Sequence, residues 1–239
     1  MVFGRVRQFA DTLVGLGKKL GAEYVRHRLG RKMSDPSSVY NQLGADDQAM
    51  ARLSKAAYGT ANERSDNVAG WNLDRELSGS NAAVYNKDGR VRIAYRGTDV
   101  NNASDLRADA HILSGDQAKS ERFIEAENLY KKARTKYGAD KEFKLTGHSL
   151  GGSQAAHVAR KYADDGVTAS VFNPGRGFDV KHMIRRAGCA LGIGNKRKCD
   201  AVTTHAIRGD PISMLDRNNR VEYSTRNIDS HGLDNFLPS

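Results

Sequence analysis

Apolar positions along this chain follow two alternating spacings, which predict alternating helices and strands. Apolar side chains recur every three or four residues in two long segments, predicting helices over 45–58 and 120–137. Two short apolar runs, 83–85 and 91–95, flank Asn86-Lys87-Asp88-Gly89, a sequence typical of a hairpin turn. Further strands are predicted over 143–146, 167–172, 201–207 and 219–225. This order indicates an α/β fold with a mostly parallel central sheet flanked by helices.

The first 35 residues differ in pattern from the rest and predict a separate N-terminal segment before an α/β domain over 36–239. Apolar residues within 1–33 recur at helical spacing, and the opposite side is basic, which predicts an amphipathic helix. Asp11 and Lys18-Lys19 interrupt the apolar stretch, so it is a poor secretory signal. A helix on an anionic membrane surface and a helix packed against the domain or a partner both fit this pattern.

The net charge of +10 is concentrated in two places. Residues 1–35 carry eight Lys or Arg against three acids, residues 176–200 carry seven against two, and the remaining charges balance. Two basic patches on a neutral body fit peripheral contact of 1–33 and 176–200 with an anionic membrane, with nucleic acid as a less favoured partner. A solvated cationic surface without a partner is an equal alternative. No run approaches the ~20 apolar residues of a membrane span, so we expect a protein that is soluble or bound at the surface of a membrane. The sequence assigns it to no particular cellular compartment.

Cys189 and Cys199 are the two cysteines of the chain. They could close a small disulfide loop in an oxidising compartment, and two free thiols are an equal alternative. Together with His182 and His205 they match no usual zinc spacing, so we predict no metal site.

The run Gly147-His148-Ser149-Leu150-Gly151 carries the strongest chemical signal. It has the pattern G-x-S-x-G, follows a predicted strand and precedes a helix predicted over 153–165. A serine on such a sharp strand-to-helix turn exposes its hydroxyl, and the glycines avoid collisions at the turn. The sequence therefore predicts Ser149 as a nucleophile.

A serine nucleophile needs a base, commonly a histidine oriented by a carboxylate. His231 follows the last predicted strand and is the favoured base, and Asp210 directly follows another strand and is the favoured acid. The competing candidates are less well placed: His157 on the helix after Ser149, His182 in the basic segment, His205 within a strand, and Asp216 and Asp229 as acids. The backbone N–H of Leu150 and the N–H and hydroxyl of Thr98 are the predicted oxyanion donors.

Several of these runs together resemble the class 3 lipases, serine hydrolases of the α/β-hydrolase fold. The similar runs are Tyr95-Arg96-Gly97-Thr98, the glycine-flanked Ser149 motif through Gly152, Phe172-Asn173-Pro174-Gly175, Gly209-Asp210-Pro211-Ile212 and Ser230-His231. The compact C-terminal part looks most like short lipase-like proteins of large viruses and phages. This resemblance makes association with a virion one possible localisation.

The resemblance implies a serine carboxylic-ester hydrolase that acts on lipids without cofactor or metal. Its Ser-Asp-His triad would form an acyl-enzyme, and the basic patches make phospholipase A1-like action one form of this hypothesis. The family's apolar lid is replaced by a short polar segment, 99–106, so strong activation at an oil surface is not expected. Two alternatives stay open: an acyltransferase on the same triad, and a basic structural, nucleic-acid-associated or membrane-associated protein with an inactive hydrolase body.

Overall fold

One eight-stranded sheet organises the part of the chain that the computed structural model describes: residues 36–98, 116–175, 189, 195–210, 220–224 and 231–238. The strands lie side by side in chain order; the first three pairs are antiparallel and the last four are parallel. They are β1 (Asn67–Val68), β2 (Trp71–Gly79), β3 (Ala82–Lys87), β4 (Arg90–Tyr95), β5 (Glu142–His148), β6 (Thr168–Phe172), β7 (Val202–Ile207) and β8 (Arg220–Tyr223). The predicted mostly parallel α/β sheet is confirmed.

Helices cover both faces of this sheet. They are α1 (Pro36–Gln42), α2 (Ala45–Ala56), α3 (Asp116–Tyr137), α4 (Leu150–Lys161) and α5 (Lys196–Asp200), with 3₁₀ turns at Ala163–Asp165 and Leu233–Phe236. α3 and α4 cover one face, and α1, α2 and the C-terminal 3₁₀ turn cover the other. Strands buried on both faces by helices are typical of α/β proteins.

Each face has its own apolar core, because successive strand residues point to opposite sides. In β4, Val91, Ile93 and Tyr95 face α3 and α4, whereas Ala94 faces α2. Phe172 and Ile207 join the α2 core from the parallel strands. The carboxyl ends of β4, β5, β6 and β7 therefore reach one edge of the sheet between two buried layers.

The predicted hairpin forms with two central turn residues. Lys87 pairs with Arg90, and Asp88 and Gly89 adopt φ values of 48° and 73°. Two successive positive φ values match the twist of the flanking strands, and Asp-Gly tolerates them well.

Three features differ from the sequence prediction. The strand β2 was missed because its sequence is largely polar. Helix α1 was not predicted; it begins at Pro36, the first residue of the expected α/β domain, and proline is favoured in the first turn of a helix. The helix predicted over 153–165 starts earlier, at Leu150, and ends at Lys161 before a 3₁₀ turn.

Several predictions concern residues outside the described part. These are the N-terminal helix of 1–33, the polar segment 99–106 and most of the basic segment 176–200; the division at residue 35 stays a prediction too. Within the basic segment, Cys189 and Cys199 form a disulfide, which decides between the two alternatives for these residues. Among the described residues, no helix combines the length and apolarity needed to cross a membrane.

Candidate active site

Ser149 occupies the sharp turn between β5 and α4. Its backbone has φ 54° and ψ −125°, a combination that non-glycine residues rarely adopt and that costs conformational energy. The turn is held by backbone hydrogen bonds, from the Ser149 N–H to the Phe172 carbonyl at 3.3 Å and from the Gly175 N–H to the Ser149 carbonyl at 2.9 Å. Such strain is commonly found at functional sites, where it fixes the direction of a side chain.

The glycines around Ser149 are required by close backbone packing. A Cβ atom on Gly147 would lie 2.4 Å from the carbonyl carbon of Gly151, and one on Gly151 would lie 2.1 Å from the carbonyl oxygen of Tyr95. The first turn of α4 therefore presses against both β5 and the end of β4. The backbone N–H of Leu150 belongs to this first turn, where N–H groups have no partner within the helix.

The predicted acid and base form a buried pair. The Nδ1 atom of His231 lies 3.0 Å from Oδ1 of Asp210, and Asp210 is fully buried. Asp210 follows β7 in a turn closed by its N–H to the Ile207 carbonyl, with Gly209 at φ 90°. A carboxylate at Nδ1 fixes the ring orientation and stabilises the imidazolium form, which is the role of the acid in a serine triad.

The segment before Thr98 packs against the Ser149 turn. A Cβ atom on Gly97 would lie 2.2 Å from the Tyr58 hydroxyl and 2.7 Å from the His148 carbonyl oxygen. Thr98 itself is half-buried at the end of this segment. The two predicted oxyanion donors, Leu150 and Thr98, thus belong to backbone segments that are in contact.

Both peptide groups of Arg96 are held from outside the strand. Its N–H donates to the Asn81 carbonyl at 2.9 Å, and its carbonyl accepts from the Arg122 guanidinium of α3 at 2.7 Å. The same guanidinium donates to the Asn81 side chain at 2.9 Å. These contacts fix the backbone that leads to Thr98.

His148, directly before Ser149, contacts the backbone of His231. Its Nε2 atom lies 2.7 Å from the His231 carbonyl oxygen, and its Nδ1 atom lies 2.9 Å from the Tyr58 hydroxyl. Burial, followed by the positive charge that His231 can carry, lowers the pKa of His148 to about 3. The Asn173 side chain also donates to the His231 carbonyl, at 3.0 Å.

The rejected histidines have structural contacts elsewhere. His205 is buried in β7, with Nδ1 3.0 Å from the Tyr223 hydroxyl and Nε2 3.3 Å from Asp47. His157 is exposed on α4 and contacts Glu127 of α3 at 2.7 Å. His182, Asp216 and Asp229 lie outside the described residues.

Sequence reasoning missed three side chains of this region: Tyr58, His148 as a contact of His231, and Asn173. His148 and Asn173 lie in two of the runs that resemble class 3 lipases, but the sequence assigned neither of them a role. Tyr58 lies at the end of a predicted helix and belongs to no motif. Their roles depend on contacts between distant parts of the chain, which no local pattern reveals.

Comparison with known families identifies the domain. A model described as "Phospholipase-like: Tle-like phospholipase domain" matches residues 33–232. The chain belongs to this family. The Tle-like domain thus spans the complete sheet together with Ser149, Asp210 and His231, and the lipase-like family expected from the motifs is confirmed.

A similar solved structure is a fungal lipase–inhibitor complex, described as a model for interfacial activation in lipases. The two sequences are 15% identical, and the structures match with a TM-score of 0.45. The match covers 77% of the Tle-like chain and 76% of the lipase chain. No curated protein matches the sequence. Within the described residues, no cluster of three or more His, Cys, Asp or Glu side chains could hold a metal ion.

Proposed function

We propose that this Tle-like domain is a serine carboxylic-ester hydrolase that cleaves phospholipids. The family is described as phospholipase-like, which supports a lipid ester as the substrate. The strongest support is the combination of a strained serine between β5 and α4 with a buried Asp210–His231 pair.

In this proposal, Ser149 Oγ attacks the ester carbonyl carbon while Nε2 of His231 accepts its proton. The N–H groups of Leu150 and Thr98, and the Thr98 hydroxyl, donate to the oxyanion as negative charge develops. His231 then protonates the leaving alcohol, giving an acyl-enzyme on Ser149. A water molecule, activated by His231, attacks the acyl carbonyl and releases the fatty acid, and Asp210 stabilises the imidazolium in both steps.

The burial of Asp210 supports an active enzyme over an inactive hydrolase body. A buried carboxylate is costly unless it is paired and hydrogen-bonded, and the strained backbone of Ser149 is also unfavourable. The contact with His231 offsets the cost of burying Asp210, whereas the strain at Ser149 remains, and both arrangements are what a nucleophile and its base require.

The basic patches support anionic phospholipid as the substrate surface. Within the described part of the basic segment, Lys196 and Arg197 are exposed at the start of α5. Each Lys or Arg close to an anionic bilayer contributes about 1 kcal/mol to binding. We therefore propose peripheral binding through residues 1–33 and 176–200 and a phospholipase A1-like preference for the sn-1 ester.

A fluorophosphonate probe tests the nucleophile directly, because it reacts covalently with an activated serine. We expect wild type to be labelled and to release fatty acid from phosphatidylglycerol vesicles, and Ser149→Ala to do neither, with kcat reduced by about 10³-fold or more. Ser153→Ala is the matched control, since it removes the hydroxyl of a half-buried serine one turn along α4. Equal labelling and turnover by Ser149→Ala and wild type would refute the mechanism.

A phospholipid with different acyl chains at its two positions tests the ester preference. Release of the sn-1 chain supports the A1-like proposal, and release of the sn-2 chain contradicts it. Transfer of the acyl group to an added alcohol in preference to water would indicate an acyltransferase. Intact vesicle binding without labelling or turnover would indicate an inactive, membrane-associated body.

A further inference from the structure

Two buried side chains donate hydrogen bonds to the same backbone carbonyl, that of His231. His148 Nε2 lies 2.7 Å from this oxygen and Asn173 Nδ2 lies 3.0 Å from it. His231 lies beyond β8, and its backbone carbonyl is held by side chains from the ends of β5 and β6.

We propose that His148 is a positioning residue, held as one neutral tautomer by Tyr58, that fixes His231 relative to Ser149. The inference rests on the proposed function, in which His231 is the base. His148 is the residue directly before Ser149, so the end of β5 and the turn that follows carry the support of the base and the nucleophile.

The tautomer of His148 follows from its two partners. A carbonyl oxygen can only accept, so Nε2 must carry the hydrogen that lies between His148 and the His231 carbonyl. In the neutral ring Nδ1 is then an acceptor, and the Tyr58 hydroxyl, 2.9 Å away, donates to it. Tyr58 thus selects the only neutral tautomer that can hold His231.

Asn173 connects the same carbonyl to the acid. Its side-chain oxygen accepts from the Ile207 N–H at 2.9 Å, and its amide donates to His231. Ile207 ends β7 and its carbonyl closes the turn that carries Asp210. The base is therefore tied to the nucleophile through His148 and to the acid through Asn173.

Neutrality of His148 has a second effect on the proposed reaction. The rings of His148 and His231 lie with centroids 4.8 Å apart, so a charged His148 would oppose formation of the His231 imidazolium. The titratable groups that influence His148 are Tyr58, His231, Asp210 and Asp234, and burial outweighs the two acids and holds its pKa well below the usual value.

The kinetic test compares two substitutions of His148. Gln can present a side-chain N–H near the position of Nε2, whereas Phe retains a ring without a donor. We expect His148→Phe to lower kcat by about 10²-fold, the cost of a misplacement of about 1 Å, with KM almost unchanged. His148→Gln should recover most of that loss. His157→Gln, on the exposed face of α4, is the matched control and should behave as wild type.

Each rate is divided by the concentration of sites labelled at saturation with fluorophosphonate. Partial unfolding lowers the number of sites but not the rate per site, so a merely structural role leaves kcat per site unchanged. Equal rates per site for wild type and His148→Phe, or equal losses for the Phe and Gln variants, would overturn the proposal.

Side-chain ¹⁵N NMR of histidine provides a readout that does not need turnover. We expect His148 to show the neutral Nε2–H tautomer from pH 8 to pH 5, and Tyr58→Phe to produce a mixture of tautomers with a several-fold lower kcat. A wild-type Nδ1–H tautomer or a titration near pH 6.5 would overturn the positioning role. An inactive wild type with the expected His148 signals would instead refute the proposed function and retain the structural contact.

Discussion

Two buried histidines of this domain should respond to alanine substitution in opposite ways. His205→Ala should destabilise the fold while leaving the chemistry of the remaining folded protein nearly intact. His231→Ala should remove turnover even in the protein that stays folded, because members of a catalytic triad act as a unit.

The contacts of His205 give the expected size of the first effect. The imidazole lies 3.0 Å from the Tyr223 hydroxyl and 3.3 Å from Asp47, and it stacks on Phe172 with ring centroids 5.1 Å apart. Loss of these contacts costs about 1–3 kcal/mol, and the cavity adds to this. A total of about 3 kcal/mol lowers Tm by about 6–12 °C in a protein of this size.

Differential scanning calorimetry and ester turnover measure the two effects on the same preparations. We expect His205→Ala to lower Tm by that amount while its kcat per fluorophosphonate-labelled site stays within about twofold of wild type. We expect folded His231→Ala to lower kcat by about 10⁴-fold. Its Tm should also fall, because the buried Asp210 carboxylate loses its contact with the imidazole. If folded His205→Ala lost its turnover and His231→Ala retained it, the assignment of the base would be wrong.

Three further predictions concern other parts of the chain. Burial lowers the pKa of His148 to about 3, so on acidification the unfolded state binds this proton before the folded state does. Lowering the pH from 6.5 to 4 should therefore reduce the free energy of unfolding by up to about 1.4 kcal/mol per pH unit. Urea unfolding at several pH values should show that this free energy depends less on pH in His148→Gln than in wild type, and an equal pH dependence would contradict the prediction. Gly151→Ala should lower the yield and Tm of folded protein because its Cβ would lie 2.1 Å from the Tyr95 carbonyl oxygen, whereas Gly79→Ala, with open space around it, should fold as wild type does; equal Tm values would contradict the packing argument. Deletion of residues 1–33 should weaken co-sedimentation with anionic vesicles, most at low salt, and leave turnover of a short soluble ester unchanged; equal binding would move the membrane contact to 176–200 or remove it.

The sequence determined the elements whose signals are local. Apolar spacing and the Asp88-Gly89 turn predicted the β3–β4 hairpin and the helices α2 and α3, because side-chain periodicity and turn conformation depend on near neighbours. The G-x-S-x-G run predicted a turn at Ser149 for the same reason, since the strained conformation of Ser149 and its glycines lie within a few residues of each other.

Local signals failed where another part of the chain decides the conformation. β2 is largely polar, and its pairing with β3 along the sheet, rather than its own pattern, makes it a strand. Cys189 and Cys199 allowed a disulfide or two thiols, and their approach in the folded chain decided between them.

The tertiary structure decided the surroundings of His231. Asp210 and His231 were predicted from their order after strands, but their 3.0 Å contact requires the ends of β7 and the C-terminal segment to meet. The supporting contacts of Tyr58 and Asn173 had no local signal at all, since hydrogen bonds between residues up to 90 positions apart depend on the assembled sheet. Sequence patterns specify a residue's own conformation, whereas its partners across the sheet are set only when the strands pack together.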